Sequence, residues 1–388
     1  MAEFVNGNRI TLLKSGVEYF PQLEAEIDAA RHEIHLETYM FVSDATGRAI
    51  AHALARAAQR RVAVRVLLDG FGSLDLDRAL VRRMEEAGVQ VLFYRPNISP
   101  WSLRRARLRR MHRKIAVIDA RVAFIGGINI LDDADQPGRT PPRFDYAVRI
   151  EGPLLAKIYP LVKRLWSLVN TTQLRARRPG AVALQPVTGI RGTQRAAFVT
   201  RDNLGHRRDI ELAYLAAIGK AREEILIASA YFFPGQPFRW ALMDAAKRGV
   251  RVVLLLQGRV EYVLAHYASL ALYGAFLDAG IEIHEYHRSF LHAKVAVIDR
   301  HWATVGSSNI DPFSLLLARE ANVVIEDAGF AAQLRESLLA ELNDGASQVK
   351  HERWHSQPWT VRVVTWFCYG LARLLTGLFA YGRAREFT

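Results

Sequence analysis

Apolar and polar positions along this chain follow two periods. Residues 9–13, 33–39, 62–68 and 89–94 are short runs rich in β-branched and aromatic side chains and read as strands. Residues 17–31, 46–60 and 74–87 have helical spacing, and Gly88 stops the last of them. Residues 62–68 are almost continuously apolar, as a strand buried on both faces would be. Alternation of this kind predicts an α/β unit with a mixed, largely parallel sheet flanked by helices. Two further apolar runs, 115–118 and 122–125, lie close enough to form a hairpin. A Pro- and Asp-rich loop at 132–143, a strand at 146–150 and a helix at 153–170 follow.

The pattern then repeats. EEILIAS at 223–229 matches HEIHLET at 32–38, and AAKRGVRVVLLLQG at 245–258 matches AAQRRVAVRVLLDG at 57–70. DAGIEIHEY at 278–286 matches EAGVQVLFY at 86–94. A period of roughly 180 residues is too long for a solenoid and indicates a duplicated unit. The chain is therefore divided into two tandem α/β domains, 1–172 and 193–345, related by a pseudo-twofold axis. Residues 173–192 form the linker, with RARRPG at its centre, and 346–388 form a C-terminal tail.

The clearest repeat is MHRKIAVIDARVAFIGGIN at 111–129 against LHAKVAVIDRHWATVGSSN at 291–309. Each copy holds His-x-Lys-x4-Asp: His112, Lys114 and Asp119, then His292, Lys294 and Asp299. His and Lys two residues apart at the start of a strand point to one face. The aspartates fall in the hairpin turn, where a carboxylate accepting backbone N–H groups is the preferred reading. Gly126 and Gly306 would let backbone approach something closely, such as a phosphate. Asn129, Asn309 and Ser307 offer neutral donors nearby.

Two such motifs in one chain resemble the phospholipase D superfamily, and the resemblance runs from Ile10 to about Asp344. LETYMF, the first motif, HAKVAVID and VGSSNIDPFSL are closest to bacterial cardiolipin synthases of the B type. The resemblance implies one site per chain, with both histidines facing each other. One histidine attacks phosphorus to form a phosphohistidine; the other protonates the leaving alcohol and then deprotonates the incoming one. His112 is assigned as nucleophile and His292 as acid/base. The catalytic set implied is His112, Lys114, Asp119, His292, Lys294 and Asp299, with Asn129, Ser307 and Asn309 holding phosphate. Asp145 and Glu320, each opening an apolar strand after its motif, would orient the histidines. No metal and no cofactor are implied. The reaction implied is transfer of a phosphatidyl group to a hydroxyl of phosphatidylglycerol. A phospholipase D or a phosphodiester nuclease would use the same residues with water as acceptor. A catalytically dead, basic membrane- or nucleic-acid-binding scaffold is a further alternative, which intact motifs argue against.

Charge adds a partner class. With 52 Lys and Arg against 39 Asp and Glu, net charge is +13 and anionic partners are favoured. Residues 95–114 carry seven Arg and Lys114, either a solvated face or a funnel for anionic lipid or phosphate beside His112, and a nucleic-acid groove would look the same in sequence. Together with the resemblance this implies anionic phospholipids and a membrane surface as partners, and no nucleic acid; the oligomeric state is left open. The first residues carry no signal-peptide pattern, and no apolar run is long enough to span a bilayer. The tail, rich in Trp, Phe and Tyr but interrupted by Arg362 and Arg373, reads as a segment lying in the membrane surface, or as one packed on the fold. Peripheral attachment to the cytoplasmic side of the inner membrane is expected. Tyr39, Met40 and Phe41, with Tyr231, Phe232 and Phe233, could line an acyl-chain entrance or pack in the core. Glu37, acidic inside a buried-type strand, has no acidic counterpart in the second copy.

Overall fold

The computed structural model describes residues 2–96, 109–132, 143–173, 184–202, 205–260, 263–311, 318–356 and 358–381. Its first half contains strands β1 (Phe4–Lys14), β2 (Glu33–Thr38), β3 (Ala63–Asp69), β4 (Gln90–Tyr94), β5 (Arg110–Met111), β6 (Lys114–Ile118), β7 (Val122–Gly126) and β8 (Tyr146–Glu151). Its second half contains β9 (Gln194–Arg201), β10 (Glu224–Ser229), β11 (Arg251–Gln257), β12 (Glu282–Tyr286), β13 (Lys294–Ile298), β14 (Trp302–Gly306), β15 (Ala318–Glu326) and β16 (Ala346–Gln348).

These strands form one continuous sheet. From its middle outward, one half runs β1-β8-β7-β6-β2-β3-β4 and the other β9-β15-β14-β13-β10-β11-β12, with β16 added at the far edge. The halves join where β1 pairs antiparallel with β9. The matching orders are the duplication seen in the sequence. Parallel pairing is concentrated in β2-β3-β4 and β10-β11-β12, the strand–helix–strand segments. The motif hairpins and their neighbours are antiparallel, because a tight turn can only reverse the chain.

Period two explains how the motif strands are buried on both faces. In β6, Ile115 and Val117 join a core shared by both halves, which helices Leu155–Thr172 and Ala328–Gly345 cover. Ala116 and Ile118 face the opposite way, into a core of the first half with helices Ser15–Ala29 and Ala45–Gln59. In β13, Val295 and Val297 join the shared core, while Ala296 and Ile298 enter a core of the second half. Of the proposed linker, residues 174–183 lie outside the described residues.

Past residue 345 the chain adds β16 to the edge of β12 and later forms helix Trp359–Tyr381. That helix packs along helix Val263–Leu270, burying Thr365 and Ala372, with Tyr369 against Phe233 at 5.5 Å. Its other side leaves Trp359, Val363, Trp366, Phe367 and Leu374 exposed. Among the described residues no helix is long and apolar enough to cross a membrane.

Candidate active site

Both motifs open where the parallel strands end. β6 runs antiparallel to β2, so its first residues sit beside Glu37, and β13 starts beside Ser229 of β10. The crevice beyond the carboxyl ends of strands is where α/β sheets gather polar side chains. His112 and His292 stand there, immediately before β6 and β13.

Each histidine is held by the opposite half. The His112 backbone N–H donates to the Arg319 carbonyl at 3.0 Å, and its Nδ1 lies 2.9 and 3.2 Å from the Glu320 carboxylate oxygens. The His292 backbone N–H donates to the Phe144 carbonyl at 2.8 Å, and its Nδ1 lies 2.6 Å from Asp145 Oδ2. The sequence order suggested that each carboxylate serves its own half; the pairing is crossed. An imidazole whose Nδ1–H is given to a carboxylate presents Nε2 to whatever enters the crevice.

The lysines point back over their histidines. Lys114 Nζ donates to the His112 carbonyl at 2.6 Å, and Lys294 Nζ donates to the His292 carbonyl. Both ammonium groups are buried, and each acts on the histidine of the other half as well as on its own. Burial pushes Lys114 down to about 7, with Lys294 adding to the effect. Burial lowers His112, against the pull of Glu320, and lowers His292 well below the usual imidazole range, aided by Lys294 and Arg143. The carboxylates diverge. Burial pushes Asp145 up to about 6. For Glu320 burial also works upward, but His112, Lys114 and the Ser307 hydroxyl outweigh it and hold the carboxyl below its ordinary value.

Five expected contributors stand elsewhere or act otherwise. Asp119 and Asp299 lie beyond the far ends of their strands, seven residues on from the histidines and so roughly 23 Å away at the rise of extended backbone. Asp119 accepts from the backbone N–H groups of Arg31, His32 and Glu33, and Asp299 from those of Arg222, Glu223 and Glu224, all within 3.1 Å. Each is also the first of two left-handed residues in its hairpin turn, a conformation Asp tolerates. Their assignment to the catalytic set is therefore corrected to a structural one. Ser307 is fully buried and donates to Glu320 Oε2 at 2.5 Å, so it secures a carboxylate rather than a phosphate. Gly126 and Gly306 leave room for neighbouring strand β8 and for Asn322 of β15, not for a ligand: a Cβ would lie 2.4 Å from the Tyr146 carbonyl or 2.2 Å from Asn322. Asn129 accepts from the Met40 N–H through Oδ1 at 3.2 Å, and Asn309 is buried at the matching position.

Several neighbours have roles that the sequence reading did not assign. The Tyr39 ring meets His112 edge-on at 4.8 Å and lies 5.3 Å from Lys114 Nζ. The bridges Phe41–Ile130 and Phe232–Ile310 make Phe232 the counterpart of Phe41, so the two aromatic triplets are offset by one residue. Asp69, fully buried, accepts from the Met111 N–H at 2.7 Å and fixes the residue before His112. Only the loss of its charge at Gln257 in the second copy marked it. Arg113 is not part of a funnel: it is buried in a two-point ion pair with Glu37, at 2.5 and 3.0 Å. Arg104, Arg105 and Arg107 of the basic run lie outside the described residues. Among the described residues, no group of three or more His, Cys, Asp and Glu is arranged to hold a metal ion.

Two histidine–carboxylate pairs meeting between duplicated halves, with two buried lysines, define a phosphodiester-transfer scaffold of the phospholipase D type. Residues 23–137 and 214–341 match the family described as cardiolipin synthase, PLD-like domain, and the chain belongs to it. Cardiolipin synthase B of Escherichia coli K12 is 40% identical over 363 residues, which are 91% of this chain and 85% of that protein. Cardiolipin synthase of Geobacillus kaustophilus is 30% identical over 372 residues, 96% of this chain and 72% of the relative. Among solved structures, phosphatidylserine synthase of Haemophilus influenzae superposes with a TM-score of 0.69 at 12% identity, covering 95% of this chain and 94% of that one, a likeness of fold.

Proposed function

We propose that this protein is a cardiolipin synthase that moves a phosphatidyl group through a phosphohistidine to a hydroxyl of phosphatidylglycerol. The crossed histidine–carboxylate pairing carries this reading, and the similarity to cardiolipin synthase B over nearly the whole chain supports it.

In the first step His112 Nε2 bonds to phosphorus, the bond from phosphorus to the headgroup oxygen breaks, and that oxygen takes a proton from His292. In the second, an incoming hydroxyl gives its proton to His292, its oxygen bonds to phosphorus, and the phosphorus–nitrogen bond breaks. The assignment of roles follows from the carboxylates. Glu320, kept ionised by its donors, fixes the Nδ1–H of His112 and leaves Nε2 as a lone pair for attack. Asp145, poised near 6, suits a partner that gains and loses a proton each cycle. Burial and then nearby cations depress His292, and bound phosphodiester charge opposes the cations, favouring the imidazolium that donates the proton. Lys114 and Lys294, with Asn129 and Asn309, supply the donors for the phosphate oxygens in the transition state.

The exposed aromatic side of helix Trp359–Tyr381, with the net positive charge, suits a peripheral position on an anionic membrane, the cytoplasmic face of the inner membrane. Lipid, not nucleic acid, is the partner this surface fits. The test is purified protein with phosphatidylglycerol vesicles and chromatography of the products. Cardiolipin with release of glycerol is the expected result; phosphatidic acid alone would make the protein a hydrolase, and neither product would refute both.

A further inference from the structure

The two histidines have differently charged flanks. Two residues before His292 stands Phe290, half-buried, with the guanidinium of Arg259 5.9 Å and that of Arg143 5.8 Å from its ring centre. Two residues before His112, the matching position is Arg110, 5.8 Å from the Phe71 ring. Gly70 and Gly258 close equivalent strands, so Phe71 and Arg259 also correspond. The cation and the ring have exchanged places between the halves.

Charge balance differs as well. Arg110 meets the Asp69 carboxylate at 3.5 Å, whereas Gln257 replaces Asp69 in the second half. Among the described residues neither Arg143 nor Arg259 has a carboxylate within ion-pair distance. The Arg259 guanidinium and the Arg143 backbone are nonetheless held in position. Arg259 donates to the His287 and Arg288 carbonyls at 2.9 and 3.1 Å, and the Arg143 carbonyl accepts from Ser15 Oγ at 2.9 Å. The Arg143 charge reaches His292 and Asp145. Two guanidiniums on one ring, two residues before His292 and with no carboxylate in ion-pair distance among the described residues, offer an anion site of the geometry that suits phosphate.

Resting on the cardiolipin synthase reading, we infer that Arg143 and Arg259, braced on Phe290, bind the phosphodiester of the acceptor lipid, whose hydroxyl His292 deprotonates. Extended backbone separates residues two apart by about 7 Å, and the glycerol of a phosphatidylglycerol headgroup bridges its phosphate and its free hydroxyl over a comparable span. Water and simple alcohols have no group to fill this site. The acceptor is therefore selected by the charge it carries beyond its reacting oxygen.

The experiment uses the full chain with phosphatidylglycerol vesicles and two soluble acceptors competing in one tube, glycerol and glycerol 1-phosphate, with different radiolabels. The ratio of labels entering lipid does not depend on how much active protein is present. Wild type should favour the phosphorylated acceptor, and Arg143→Gln and Arg259→Gln should each lower the ratio about tenfold, the value of one charged hydrogen bond to phosphate. A wild-type ratio near one, which needs no variant to fold, overturns the proposal, as does an unchanged ratio in both variants. Loss of vesicle sedimentation with the ratio intact would assign the arginines to bystander lipids and also overturn it. Absence of cardiolipin in the wild-type tube refutes the synthase reading instead, and the label ratio is read independently of it.

Discussion

Glu320 and Asp145 receive the same kind of N–H from the same kind of ring, yet they hold protons differently. Glu320 has the Ser307 hydroxyl as a further donor, while the Asp145 carboxylate lies against Gly127, where no hydroxyl exists; a Cβ there would stand 2.3 Å from Asp145 Oδ1. One consequence is a narrow pH optimum. Asp145 must be ionised to accept from His292, so kcat/KM falls as pH drops through about 6. Lys114 must be cationic to stabilise phosphate charge, so kcat/KM falls as pH rises through about 7. A pH–rate profile with its maximum between these values is expected, and Lys114→Arg should move the alkaline limb upward, because guanidinium stays charged. An unchanged alkaline limb in that variant would count against Lys114 as its source.

At the scale of elements, the strand pair β2–β6 contains a buried ion pair that its copy β10–β13 lacks. Glu37 and Arg113 match Ala228 and Ala293, and all four are buried. Removing one charged partner strands the other, at about 3–5 kcal/mol, whereas the paired replacement leaves no orphan. Chemical denaturation should therefore show Glu37→Ala to be more damaging than Glu37→Ala with Arg113→Ala; equal losses would mean that the pair contributes nothing as a pair. The C-terminal helix packs through one face, and the proposed membrane contact falls on the other, exposed face. Trp366→Ser with Phe367→Ser alters exposed positions and should leave stability within about 0.5 kcal/mol, while reducing sedimentation with anionic vesicles severalfold. Undiminished sedimentation would remove this helix from the membrane contact.

For the whole molecule, the strands, the duplication and the motif residues were legible because each is written locally, in period, spacing and repeat. The sequence could not assign partners between segments distant along the chain. His112 with Glu320, or Asp69 with Met111, depends on how distant segments meet, and no local pattern encodes that. Gly126 and Ser307 misled for a related reason: a small residue or a hydroxyl beside a site looks the same whether it serves a ligand or a neighbouring strand. Because the proposed single site draws on both halves, His112→Ala and His292→Ala should each abolish transfer by orders of magnitude. The double variant should be little worse than either single one. Mixing the two single-variant proteins should restore nothing if each chain closes its own site. Recovery on mixing would reveal exchange of halves between chains.

The crossed pairing also sets a time at which the protein becomes reactive. During synthesis His112 emerges long before Glu320, and until the second half has folded back its ring has neither that carboxylate nor the Arg319 carbonyl to hold its backbone. A ribosome-bound or truncated chain therefore carries the first motif without the means to use it. Lipid chemistry begins only when translation of the second half is complete.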